Sequence, residues 1–466
     1  MSETIGEMIL PGTYIEVRAE GLIGVGGIAT GNVGVVGTAN RGPLRTVQVF
    51  GSFSEALDTF GAADAFPAAK SDQPSTLTLT RTLEQVFKGG ASTVYAVRVA
   101  NEGGTPMATM SWAVNAAGDA PLLTVRATSP GTWANGITVT LDTPAGKPPV
   151  LRLVLGRLKE TFEGATAKEL GQAIRDGSRL VTVEGPAAAD EAKVPVAVVA
   201  SATKGGPDGV PVTSVQIADG LGVLTNQSVN IVAVGGAAAK DVAGAVLAHL
   251  EQAENEGRER IAVLGASTDD PATLIADDSS KGSNPRLILV APGIKAGDTA
   301  LPAPYAAALV AGRLATLAPH VSLTNKDVAA DDLTAEYTRA QQKQLLGSQV
   351  LVLQKNLGIR VLKGITTDTG AFRQISVRRI VDFAKAGVRI GANPYIGRLN
   401  NPRVRAALKA TLDGFLSQMI LDEMLVAYQL DVSATRAQEI NGQAVVTMVL
   451  QPTFSIDFVK VIMNLQ

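Results

Sequence analysis

Between residues 229 and 340 short apolar runs alternate with longer helical stretches, and no other feature restricts the possible folds as much. Val229 to Val234, Arg260 to Leu264 and Arg286 to Val290 have the length and β-branched content of buried strands. Asp241 to Gln252 and Pro304 to Leu317 have the length of helices. Strands joined through a helix run parallel, because a tight hairpin can join only antiparallel neighbours. The spacing predicts an α/β core over residues 216–340.

Other patterns surround that core. Residues 8 to 18 open with a Pro-Gly turn and then alternate Thr13, Ile15 and Val17 with Tyr14, Glu16 and Arg18, the period of a strand. Val33 to Val36 reads as a buried strand and Thr93 to Val99 as another. Ser52 to Phe60 reads as a helix with Ser52 at its N-cap and Glu55 three residues on, and a second helix covers about 75 to 88, ending at Gly89-Gly90. From 105 to 215 the chain turns rich in Ala, Gly, Pro and Thr, with one helical stretch near 166 to 176 and the turn-rich KGGPDG at 204 to 209. This is the expected inserted β-rich unit. The chain closes on Val445 to Leu450 and Thr453 to Leu465, β-prone stretches separated by Pro452. An apolar strand at a chain end either pairs within its own sheet or offers an edge to another molecule.

Composition removes several function classes. At 466 residues the chain is long enough for about three folded units. With 46% hydrophobic and 18% charged residues, extended disorder is not expected. A formal charge of −2 supplies no global field for nucleic acid or an anionic membrane. Cys is absent, which removes disulfides, thiolate catalysis and cysteine zinc sites. The first ten residues lack a basic start and an apolar run, so export by a secretory signal is not expected, and no apolar run approaches the roughly 20 residues that span a bilayer.

Candidate chemistry is sparse. A catalytic triad needs a histidine base, and the chain has two, His249 on a helix and His320 after Pro319, neither in a nucleophile motif. Both read as structural. Gly24-Val25-Gly26-Gly27 has no GxGxxG spacing opening a helix, and GxxxxGK[ST] occurs nowhere. The pairs Asp269-Asp270, Asp277-Asp278 and Asp331-Asp332 lack the alternating oxygen ligands of a calcium loop and read as solvated loop charge. No catalytic, cofactor or metal residue is assigned. Residues 341 to 410 carry 13 Lys or Arg against Asp368 and Asp382 only. With aromatics at 4% of the chain and not interleaved among the positives, this segment reads as a solvated or ion-paired face, or as a surface for an acidic partner.

Several spaced motifs resemble those of contractile tail sheath proteins, in that family's order. They are PGTYIEV at 11 to 17, GNVGVVGTANRGP at 31 to 43, TLEQVFKGGASTVYAVRV at 82 to 99, and SPGTWANGITV at 129 to 139, where Ala134 stands at a position commonly Gly. Further on come NLGIRVLKGITT at 356 to 367, FRQISVRRIVDF at 372 to 383, with an Arg-Arg pair read as preceding a helix, and GQAVVTMVLQPTFSIDFVKVIMNL at 442 to 465. The resemblance implies a multidomain α/β and α+β fold. Its parts are an N-terminal arm (1–20), a first α+β block of the core (21–104), an inserted β-rich outer domain (105–215), a subtilisin-like α/β core (216–340), a C-terminal inner, tube-facing domain (341–450) and a C-terminal arm (451–466).

The function it implies is that of a non-enzymatic subunit which polymerises around an inner tube and contracts to drive it through an envelope. Implied partners are further copies of the chain in a six-fold helical array, the inner tube protein, and baseplate and terminal cap proteins, with no direct nucleic acid and no stable membrane insertion. The implied place is a virion tail or similar particle assembled in the bacterial cytoplasm. Tyr14, Ile15, Val17, Ile456, Phe458, Val459 and Val461 are expected in the inter-subunit arms. Arg378, Arg379, Lys385, Arg389, Arg403 and Arg405 are expected to face the tube. An α/β hydrolase and a non-contractile polymer such as a surface layer or compartment shell are the alternatives.

Overall fold

Val33–Gly37 (β1), VGVVG, is buried along its whole length, which suits a strand covered on both faces. The computed structural model describes residues 27–64, 77–103, 107–117, 121–200, 208–209, 211–276 and 283–463. In it β1 lies inside an eight-stranded sheet with Val47–Phe50 (β2), Val94–Arg98 (β3), Ile231–Ala238 (β4), Ile261–Gly265 (β5), Leu287–Ala291 (β6), Val350–Lys355 (β7) and Ile359–Val361 (β8). The strand order is β8-β7-β6-β5-β4-β1-β3-β2. The six central strands are parallel, and β2 and β8 close the edges antiparallel. Val33 pairs with both Ile231 and Val94, so the first block and the α/β core expected over 216–340 share one sheet. Residues 350–361, expected in the C-terminal unit, also belong to it.

Strand residues alternate between two apolar layers, as side chains on a pleated strand must. Ile231, Ala233, Ile261, Val263, Ile288 and Val290 face Leu79–Lys88 (α1) and Ala303–Ala315 (α3). Val232, Val234, Ala262, Leu264, Leu287 and Leu289 face the helix Ser214–Leu224 and Ala239–Asn255 (α2). α3 is apolar nearly all round and buried, the pattern of a central helix. It packs tightly on α1 because a Cβ at Gly312 would meet the Val86 carbonyl and one at Gly89 the Leu309 carbonyl.

Described residues between 107 and 200 build two antiparallel sheets, one of four strands and one of three, around Trp112, Val125, Trp133, Leu151 and Leu170. Beyond the core, Ile375–Ala392 (α4) and Pro402–Leu421 (α5) cross where Gly387 meets the Phe415 ring. Leu425–Ser433 (β9) and Val445–Pro452 (β10) form a separate two-stranded ribbon over α5. The molecule is therefore a mixed α/β chain with several sheets.

Candidate functional site: the chain ends and the basic segment

Past a bulge between Leu425 and Ala427, the β9–β10 ribbon alternates between its faces. Tyr428, Leu430, Val432, Val446, Met448 and Leu450 turn toward the helices. Tyr428 secures that face through its hydroxyl, which donates to Asp413 Oδ1 at 2.7 Å and lies 2.8 Å from Ser417 Oγ. The other face holds Val445 and Val449 in the open, and Val426 in the bulge is exposed as well. Each strand pairs only with the other among the described residues, so both outer edges present free backbone donors and acceptors.

Residues 453–463 leave the ribbon without forming a helix or a strand. Their pattern is inverted relative to an ordinary surface segment. Ser455 and Asp457 turn inward, whereas Phe454, Ile456 and Phe458 are exposed, the last at 84%. The Asp457 carboxylate pairs with Lys363 Nζ at 3.0 Å and accepts from Gln374 Nε2 at 3.2 Å and Thr324 Oγ1 at 3.3 Å. Lys363 also sits 4.9 Å from the Phe458 ring centre. Val459 and Val461 beyond it are exposed. Thus Ile456, Phe458, Val459 and Val461, expected in an arm, lie on the surface, and Tyr14, Ile15 and Val17 fall outside the described residues.

The basic segment does not form one face. Arg378 and Arg379 lie inside α4 rather than ahead of it, and both are buried. Arg378 binds Asp382 at 2.6 Å and stacks 4.2 Å from the Phe372 ring centre. Arg379 donates to the carbonyls of Thr30, Leu317 and Ala318, and burial pulls its pKa down to about 10. Lys385 pairs with Glu254 at 2.8 Å and Glu259 at 2.9 Å, and Arg389 pairs with Glu259. Arg405 holds Glu439 at 2.9 Å. Arg403, at the start of α5, is exposed. Expecting Arg378 and Arg379 to face a partner is therefore corrected: each guanidinium is enclosed by the fold and already bound.

Apart from Arg405–Glu439, these ion pairs centre on Arg286, a residue that sequence reading did not single out. Only 4% of its side chain is exposed, and it holds Glu254 and Asp382, each at 2.7 Å. Hydrogen bonding from Arg286 brings the Glu254 pKa down to about 2, with Lys385 adding to it. Burial works against ionisation of Glu259, yet hydrogen bonds from Arg389 and Lys385 keep its pKa below the usual carboxylate range. A cleft of about 380 Å³ adjoins the network, lined by Ile28, Thr30, Glu259, Arg379, Asp382 and Phe383 among others.

His249 is buried on α2, and its Nε2 accepts from Arg260 Nη1 at 2.8 Å while Arg260 Nη2 caps the carbonyls of Thr225 and Gln227. His320 is half-buried in the turn after α3. Among the described residues no group of three metal-ligating side chains is assembled, and no helix is long and apolar enough to cross a membrane.

Comparison with known proteins places these elements in a family. The phage tail sheath protein central domain matches residues 211–367, and the phage tail sheath C-terminal domain matches residues 367–466. The tail sheath protein of Bacillus phage SP01 is 26% identical over 203 residues, covering 39% of this chain. The match spans about a third, 34%, of that relative's length. The crystal structure of a sheath tail protein from Listeria innocua is 17% identical, with a TM-score of 0.67, covering 94% of this chain and 95% of that one. The helical sheath of the anti-feeding prophage in its contracted state is 13% identical, with a TM-score of 0.56, covering 98% of this chain and 99% of that one.

Proposed function

The chain belongs to the phage tail sheath family, and from that premise we propose that it is a structural subunit of a contractile sheath that polymerises helically around an inner tube. One observation carries the assembly step. The tail turns its apolar side chains outward, at Phe454, Ile456 and Phe458, while the nearby ribbon leaves two strand edges unpaired among the described residues. An apolar strand beside open edges favours pairing between molecules over solvation. Each added backbone hydrogen bond contributes a net of about 0.5–1.5 kcal/mol, so several per arm hold a lattice together while the folded bodies move.

On this reading residues 1 to about 20 and the C-terminal tail add strands to neighbouring copies in six-fold discs. An extended lattice relaxes into one that buries more interface, and that difference drives the tube without nucleotide hydrolysis. The partners are further copies, the tube, the baseplate and a terminal cap, within a virion tail or related particle assembled in the bacterial cytoplasm. The reading includes a subtilisin-like α/β core, a fold carried here without a catalytic role. For the tube-facing surface Arg403 and Arg389 are the candidates open to solvent, with Lys385 and Arg405 able to take part by exchanging partners. An exposed contact made by Arg403 would be worth only about 0–1 kcal/mol, weak enough to break during sliding.

The test is to end the chain after Asp457. The shortened protein should stay folded by circular dichroism and sediment as a monomer under conditions that pellet the full-length chain as polymer. Pelleting of both proteins alike would reject the arm.

A further inference from the structure

The two described chain ends are tied to the same pair of elements. At the N-terminal side, Arg379 of α4 donates from Nη2 to the Thr30 carbonyl at 3.1 Å and to Leu317 O at 2.9 Å, and from Nη1 to Ala318 O at 3.3 Å. Ile28, two residues before Thr30, packs into the apolar cluster containing Ile380 of the same helix. At the C-terminal side, Gln374, the N-cap residue of α4, accepts from the Ser455 amide at 3.2 Å and donates to Asp457 at 3.2 Å. Thr324, in the loop that supplies the Leu317 and Ala318 carbonyls, donates to Asp457 at 3.3 Å. Helix α4 and loop 317–324 therefore each touch both ends.

We propose that α4 and loop 317–324 form one clamp that couples the two chain ends, so that loading the C-terminal tail alters the hold on the N-terminal lead. This deepens the sheath reading and rests on it for its purpose: in a lattice linked through both ends, a displaced neighbour on one side would be sensed on the other. Four physical features favour coupling over two independent anchorages. Gln374 and Arg379 lie five residues apart on a rigid helix, about 7.5 Å of rise. Arg379 is 7% exposed and spans the lead and the loop with one planar fork. The Asp457 side chain is 8% exposed, so its partners cannot simply be exchanged for water. Finally, the Thr324 hydroxyl also accepts from the Gly364 amide at 3.0 Å, which fixes the loop to the segment leading into α4.

The experiment is amide hydrogen exchange on dilute full-length protein, comparing Gln374→Ala and Asp457→Ala with the parent. Losing one hydrogen bond of about 1 kcal/mol corresponds to about fivefold faster exchange at a locally opening site. Both variants should speed exchange at Ser455 and also, by a few-fold, at residues 28–33 across the clamp. The reciprocal variant, Arg379→Gln, should speed exchange at Ser455. A Thr447→Ala control on the ribbon should change neither region. If Gln374→Ala and Asp457→Ala speed exchange only in the tail, the coupling is wrong, whether or not Arg379→Gln folds. The readout needs no polymer, so a chain that forms no tubes would defeat the sheath reading and still report on the clamp.

Discussion

The carboxylates that hold Arg286 come from Glu254 and Asp382, 32 residues before it and 96 after, and no local window of sequence could pair them. That distance explains why the basic stretch 341 to 410 reads as one charged face and folds as separate pairs: its counter-charges at 254, 259 and 439 arrive only with the tertiary structure. Removing Arg286 leaves the largely buried Asp382 with Arg378 alone and the partly exposed Glu254 with Lys385 alone. Arg286→Met should lower stability by about 1–3 kcal/mol in urea titrations, as the loss of charge-assisted hydrogen bonds does. Lys168→Ala, which breaks the exposed pair with Glu191, should leave the midpoint where it was. His249 makes a second residue-scale prediction. Burial first, then the charge of Arg260, push its pKa down to about 4 from 6.5, with Glu256 opposing. Between those values the unfolded chain binds more protons than the folded one. The stabilisation is therefore complete above pH 6.5 and is lost as the pH falls through about 4, by on the order of 3 kcal/mol. His249→Gln retains an acceptor for Arg260 without titrating, and should flatten the acid dependence of the unfolding free energy across that window. An unchanged slope would place the titration elsewhere.

Among the elements, those whose signal is local were legible. Ser52 accepts from the Glu55 amide at 3.4 Å and starts the helix Phe53–Phe60, as the capping pattern implies. The alternation over 229 to 340 resolves into β4, β5, β6, α2 and α3 with boundaries moved by a few residues. The tail was legible only in part. Its β-prone composition predicts a strand over Thr453 to Leu465, but no sequence pattern names the strand it would pair with, and residues 453–463 form none. The α4–α5 crossing was not legible, because Gly387 reads as an ordinary helix-weakening glycine until Phe415 is seen against it. In an unpacked helix Gly387→Ala would stabilise by about 1 kcal/mol, whereas here the added methyl meets the ring and should destabilise by about 1–3 kcal/mol. The double variant Gly387→Ala with Phe415→Leu should recover most of that loss in thermal unfolding. If it does not, the ring is not what excludes the methyl.

At the scale of the whole molecule, the principal surprise is how far apart in sequence the sheet's central partners lie. β1 pairs with β4 across the inserted sheets, joining Val33 to Ile231, so the first block and the α/β segment cannot be separated without leaving the sheet open along β1 and β4. Sequence reading could recognise strands on both sides of the insertion, but adjacency between them is fixed by packing on α1 and α3, which periodicity does not report. A large sheet covered on both faces gives a stiff body, while the ribbon, the tail and the lead to Thr30 lie at its margin on the α4 side. That division between a stiff body and an exposed apolar tail suits the proposed lattice, which must change its pitch. On the proposed function these ends make the chain a self-assembling sheath subunit. Electron microscopy of the purified full-length protein, concentrated alone and with an inner tube, tests it most directly. The account predicts hollow striated tubes with six-fold symmetry, whereas dispersed globular particles under both conditions would contradict it.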